Sequence, residues 1–274
     1  MEILVPDSFA SEIEMFEAVA EIQDKIFLTT DDEIGISLSN PYLLQNQLGI
    51  FLLLCLNAFG AQKRKNIILR CSFPSCAWDD RDLASYFQLH TKADVISLVT
   101  KNISKKIPVQ MTEKLSDILV SLIGEVYNNA VEHSGSDYII GNCYNESGSE
   151  ENDSKMYFFC YDAGKGIIES VRRYLHKDQD ALFQEYGVSA RLLDWALKKG
   201  NTTKQPPRGV GIDWLLGFAK SNSGYVRICN EHVLFEQNSD GAATYKRLEK
   251  KFYGLFFEMH IRETPEVIYR LKGE

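Results

Sequence analysis

A run of fourteen residues, Leu48 to Ala61 (LGIFLLLCLNAFGA), carries no charged side chain. It leaves a chain like this little freedom, because such a segment must either enter lipid or be enclosed by protein on every side. A membrane-spanning helix needs roughly 20 apolar residues. The run therefore predicts a helix buried all round inside a globular core. A chain of 274 residues, 45% hydrophobic and 25% charged, can supply that core as one large domain or two small ones. No basic stretch followed by an apolar one opens the sequence, so export is not expected and a cytoplasmic setting, with no membrane partner, is. Cys55, Cys71, Cys76, Cys143, Cys160 and Cys229 form no CxxC pair and mostly sit in apolar runs. They read as buried thiols in a reducing compartment rather than a zinc site or a disulfide frame. The net charge of -8 argues against broad nucleic-acid binding while leaving room for a local anion site.

Around the apolar run the pattern alternates. KIFLTT (25–30) and EIGISLS (33–39) read as strands before it, KNIILRC (65–71) as a strand after it, and DDRDLASYFQLH (79–90) as a second helix. This predicts a smaller α/β domain over residues 1–104, with the polar, Pro-containing TKNISKKIPVQ (100–110) as a linker to a second domain over 105–274. In the second domain, Thr112 is a plausible cap for a helix whose Leu115, Ile118, Leu119, Leu122, Val126 and Ala130 share one face. DYIIGNCY (137–144) and KMYFFCYD (155–162) predict a hairpin across an acidic, Ser-rich loop. Residues 167–208 read as helical in pieces, followed by a helix from Ile212 and three closing strands, GYVRICN, EHVLFEQ and GLFFEMHI.

Three stretches carry chemistry. In GEVYNNAVEHS (124–134), Glu125, Asn129 and His133 recur every four residues and so line one side of a helix. A carboxylate there can position or deprotonate a water, and an amide oxygen is a hard ligand suited to Mg²⁺; a solvated polar stripe explains the spacing as well. In YDAGKGI (161–167), Asp162 ends an apolar strand, where it can accept a hydrogen bond from an amine, and Gly164 and Gly166 permit close backbone approach; an ordinary turn is the alternative. In GNTTKQPPRGVGI (200–212), the amides of Gly209, Val210 and Gly211 face a helix N-terminus, with Thr202, Thr203, Lys204 and Arg208 as further donors to an anion. A surface loop with a helix cap accounts for that stretch equally.

The order of the three is more specific than any one of them. A helix with E-x-x-x-N-A-x-x-H, a strand ending D-x-G-x-G and a loop ending R-G-x-G-[IL] together resemble the nucleotide-binding signature of the GHKL (histidine kinase-like) ATPases over about residues 110–262. The resemblance implies a Bergerat fold, a two-layer α/β sandwich, and a pocket for ATP and Mg²⁺. It implies that Asn129 coordinates the metal, Glu125 activates the attacking water and Asp162 receives the exocyclic amine of adenine. Gly164 and Gly166 would shape the turn beside the nucleotide, and His133 would contact phosphate or pack. Residues 167–208 would form the ATP lid, with Thr202, Thr203, Lys204 and Arg208 near its closing end and Gly209, Val210 and Gly211 cradling phosphates. One departure stands out: members of this family commonly place Gly-Thr at the start of the last core strand, whereas this chain has Gly254-Leu255.

Sensor kinases need a phosphoacceptor histidine ahead of the ATPase domain, and His90 lacks the usual acidic and basic neighbours. The gyrase, MutL and heat-shock 90 branches continue into a transducer domain, for which little sequence follows the last strand. The expectation is a stand-alone or anti-sigma-type member that hydrolyses ATP slowly and switches an interface with a protein partner or a second copy. Protein kinase activity and ATP/ADP sensing without catalysis are the alternatives. The N-terminal alternation loosely resembles a STAS-like module, although Ser37 and Ser39 are poor phosphoacceptor candidates.

Overall fold

The computed structural model describes residues 1–39, 47–71, 87–105, 111–146, 154–175, 186–198, 200–201 and 211–263. The chain is mixed α/β, and its strands form two sheets. The first is parallel, in the order β1 (Glu2–Leu4), β2 (Glu33–Leu38), β3 (Asn66–Cys71). The second is antiparallel, in the order β4 (Phe87–Leu89), β5 (Ile139–Glu146), β6 (Ser154–Asp162), β8 (Ala243–Glu263), β7 (Tyr225–Gln237).

Helix α1 (Glu12–Leu28) lays Met15, Phe16, Val19, Ile22 and Ile26 on β8, and α2 (Gln47–Gln62) lies between the two sheets. That position explains why α2 is apolar on every side: β3 takes one flank and β5 with β6 takes another. Aromatic rings dominate the seam, with Phe16 edge-on to Phe256 at 4.9 Å and Phe51 stacked on Phe159 at 4.9 Å. Buried Gln23 fits there because its amide is fully used: Nε2 donates to the Tyr161 hydroxyl (3.2 Å) and the Tyr253 carbonyl (3.0 Å), while Oε1 accepts from the Tyr253 N–H (2.9 Å).

On the opposite face of the antiparallel sheet stand α3 (Lys92–Leu98), α4 (Glu113–His133), α5 (Gly166–Tyr174), α6 (Tyr186–Leu197) and α7 (Gly211–Ser221). Thr91 and Asp94 form a reciprocal capping box at the start of α3, and the Thr112 hydroxyl accepts from the Leu115 N–H at the start of α4. No helix among the described residues is long and apolar enough to cross a membrane.

Several elements differ from the sequence expectation. Residues 25–28 of KIFLTT belong to α1, because Ile22 and Ile26 continue the helical stripe of Met15 and Val19. Phe87–Leu89, expected in a helix, is the edge strand β4, and the earlier part of that segment (79–86) lies outside the described residues. Within the expected linker, Val99–Ile103 continues α3 as a π-helical turn with Ile103 fully buried, while 106–110 lie outside the described residues. The division expected at 104/105 therefore does not coincide with the division between the sheets, since β4 and α3 precede it and pack into the second core. GYVRICN and EHVLFEQ form one strand, β7, irregular at Glu231 (φ 52°), and β8 starts eleven residues earlier than GLFFEMHI suggested. The second face of the antiparallel sheet is covered as well: Phe159, Tyr161, Phe252 and Phe256 point to it, and α1 and α2 from the N-terminal segment cover them.

Candidate functional site

Where α4, β6, α5, α6 and α7 converge, a cavity of about 180 Å³ opens. Helix α4 reaches it because its amphipathic stripe is buried on the sheet, leaving the next positions round, Asn129 and His133, on the cavity wall. Asp162 and Cys160 of β6 form the floor with Leu255 and Phe257 of β8. Gly166, Ile167 and Ser170 of α5, then Trp195 and Lys198 at the end of α6, close the sides, with Ile212 and Asp213 of α7. The walls are mostly apolar and the volume lies below the 300–1,000 Å³ of whole-ligand pockets, so the enclosed part suits a ring-sized moiety.

Asp162 is 3% exposed, and its Oδ1 accepts a hydrogen bond from the Gly164 N–H at 3.1 Å. Burial pushes its carboxyl up to about 7, offset in part by that N–H and by the Lys165 charge. At its two glycines the turn after it leaves no room for a side chain. A Cβ on Gly164 would stand 2.2 Å from the Ser134 carbonyl oxygen, and Gly166 has φ +74° with Asn230 Nδ2 2.2 Å from its would-be Cβ. Across the ladder Asp162 pairs with Leu255, and Gly254 beside it has φ +92°, with the Asp162 carbonyl 2.2 Å from a would-be Cβ. Gly164 is thus dictated by the close approach of the Ser134 backbone, and Gly166 by its left-handed φ and the Asn230 side chain packed against it.

At the rim, His133 Nε2 lies 3.2 Å from Glu132, which also pairs with Lys92 of α3. Glu125 sits half-buried one turn before Asn129 and does not line the cavity. Gly211 opens α7, whose next two residues do line it. Thr202, Thr203, Lys204, Arg208, Gly209 and Val210 lie outside the described residues. Among the described residues, no three His, Cys, Asp or Glu side chains gather as a metal-binding group.

Sequence reasoning missed residues that hold this geometry together. Asn230, 1% exposed, accepts from the Ile168 N–H (2.9 Å) and donates to the Gly254 carbonyl (2.7 Å), tying the start of α5 to β8. Arg172 of α5 donates from both terminal nitrogens to Glu231 of β7 (2.9 and 2.7 Å), and Ser189 of α6 donates to the same carboxylate (3.1 Å). Trp195 and Lys198 also escaped notice, although their spacing in LLDWALKK puts both on one face of a helix. Neither protein-family models nor curated proteins yield a match to this chain. What the geometry offers is a slot with a buried carboxyl at its floor, apolar walls, and amide and cationic groups at its mouth.

Proposed function

We propose that the chain binds Mg-ATP in this cavity as a GHKL-type ATPase with a Bergerat-type second half, and hydrolyses it slowly to switch an interface with a protein partner or a second copy. The observation that carries the reading is convergence. Asn129, His133, Asp162 and Gly166, from two motifs on separate elements, line a single cavity. The would-be Gly-Thr position supports it too, since Gly254-Leu255 lies beside Asp162 in the ladder and Leu255 reaches the cavity wall. Asp162 would receive the adenine amine, and Asn129 would hold Mg²⁺ through its amide oxygen. Bound Mg²⁺ would neutralise charge on the phosphate oxygens. Leu255 brings no hydroxyl to the aspartate, which predicts a drier, weaker contact to the base. On this reading the N-terminal elements, loosely STAS-like, are those through which a partner would be engaged, on the sides of α1 and the parallel sheet that the core leaves exposed.

Calorimetry with ATP and ADP at pH 8, with and without Mg²⁺, tests this on wild type and Asp162→Asn. The Gly164 N–H fixes one oxygen of residue 162, so an asparagine turns its amide N–H₂ toward the base amine; ATP affinity should fall at least about tenfold. Binding of neither nucleotide by the wild type would overturn the assignment. The position of Glu125 off the cavity wall favours a second reading, nucleotide sensing without turnover. Phosphate release that Glu125→Ala abolishes while ATP binding persists would decide for hydrolysis, and no release from the wild type would decide for sensing.

A further inference from the structure

Helix α6 contributes more to the cavity than a wall. Its core face is committed: Leu192, Leu193 and Leu197 are buried, and Ser189 donates to Glu231. On its flank, Asp194 accepts from the Tyr245 hydroxyl at 3.0 Å. These contacts hold the helix on β7 and β8, and Trp195 is only partly packed against the core. Trp195 instead stands half-buried on the cavity side, its ring 5.8 Å from Tyr174 of α5 and tilted by 35°. The chain after the helix folds back on it, with Asn201 Nδ2 donating to the Trp195 carbonyl at 2.7 Å. Lys198, one turn beyond Trp195 on the same face, also lines the cavity; its side chain is 65% exposed and bridges to Asp194 at 2.7 Å.

An aromatic ring inside a mostly apolar, ring-sized slot, followed one turn later by an exposed cation at the rim, is complementary to a heterocyclic base bearing phosphates. We propose that Trp195 is the stacking surface for the base and that Lys198 exchanges Asp194 for the phosphates, so that the end of α6 recognises both parts of the nucleotide. The proposal rests on the nucleotide reading above and adds specificity-determining residues to it.

Calorimetry on the full chain with Mg-ATP and with adenosine tests it, for wild type, Trp195→Phe, Trp195→Ala and Lys198→Ala. Loss of a base-stacking ring weakens binding by roughly fivefold or more, so Trp195→Ala should weaken ATP and adenosine by the same factor and Trp195→Phe should retain most of the affinity. Lys198→Ala should weaken ATP and leave adenosine unchanged. ATP should also quench tryptophan emission in the wild type and cease to do so in Trp195→Phe, a readout that holds even if the alanine variant fails to fold. ATP bound by Trp195→Ala as tightly as by wild type, or quenching undiminished in Trp195→Phe, would overturn the stacking role while leaving the nucleotide reading intact. A wild type that binds neither ligand would overturn both.

Discussion

Asp162 shows how one side chain is set by its surroundings. Its ordinary carboxyl value of 3.8 rises to about 7 because it is desolvated between β5 and β8 with one N–H partner. Between those values the folded chain holds a proton that the unfolded chain has released, so stability falls as pH rises from about 4 to about 7 and levels off above. Asp162→Asn removes this penalty and keeps an oxygen for Gly164. Its stability relative to wild type should therefore be about 2.5 kcal/mol more favourable at pH 8 than at pH 5. Urea unfolding of both proteins at the two pH values measures this, and a difference independent of pH would mean the carboxyl is ionised throughout. On the proposed reading the same residue would link stability to binding, since the form that accepts an amine best is the ionised, costlier one.

Among the elements, α5 and α6 are joined to β7 by a buried ion pair as well as by apolar contact. Arg172 and Glu231 are 8% and 4% exposed in their side chains, and Glu231 adopts positive φ where β7 is irregular. The strand is distorted at the point where its carboxylate serves two helices. Removing one partner strands a buried charge, which costs about 3–5 kcal/mol. Arg172→Ala should lower stability by that order in urea unfolding and raise amide exchange in α5 and α6 before it does so in α4. An unchanged exchange pattern would show that apolar packing alone holds the two helices. This explains why the middle of β7 was hard to read from sequence: Asn230 and Glu231 look like a turn between strands, but each is consumed by partners far along the chain.

For the whole molecule, the decisive feature is that the antiparallel sheet is covered on both faces. Helix α1 from the N-terminal end lies against β8 from the C-terminal end, and Arg227 of β7 reaches Glu12 of α1 while also pairing with buried Glu258. Phe16, fully buried against Phe252 and Phe256, is the centre of that seam. Phe16→Ala should cost about 3–5 kcal/mol. Because α1 and the sheet share one core, circular dichroism and tryptophan emission should report one coincident unfolding transition in wild type. Two separated transitions would mean that the N-terminal elements fold independently of the sheet. Sequence by itself determined the features governed by short-range periodicity: the buried α2, the capped amphipathic α4 with Asn129 and His133 on one side, and the β5–β6 hairpin ending at Asp162. Those follow from the 3.6- and 2-residue repeats of helix and strand, which neighbours along the chain dictate. Only the tertiary structure decided that β4 joins the second sheet, that β8 runs on to Ala243, that α1 closes the far face, and that Trp195 and Lys198 face the cavity with Asp162. Each of these rests on contacts between residues distant in sequence, where burial and pairing with a remote partner outweigh the local preference of the segment.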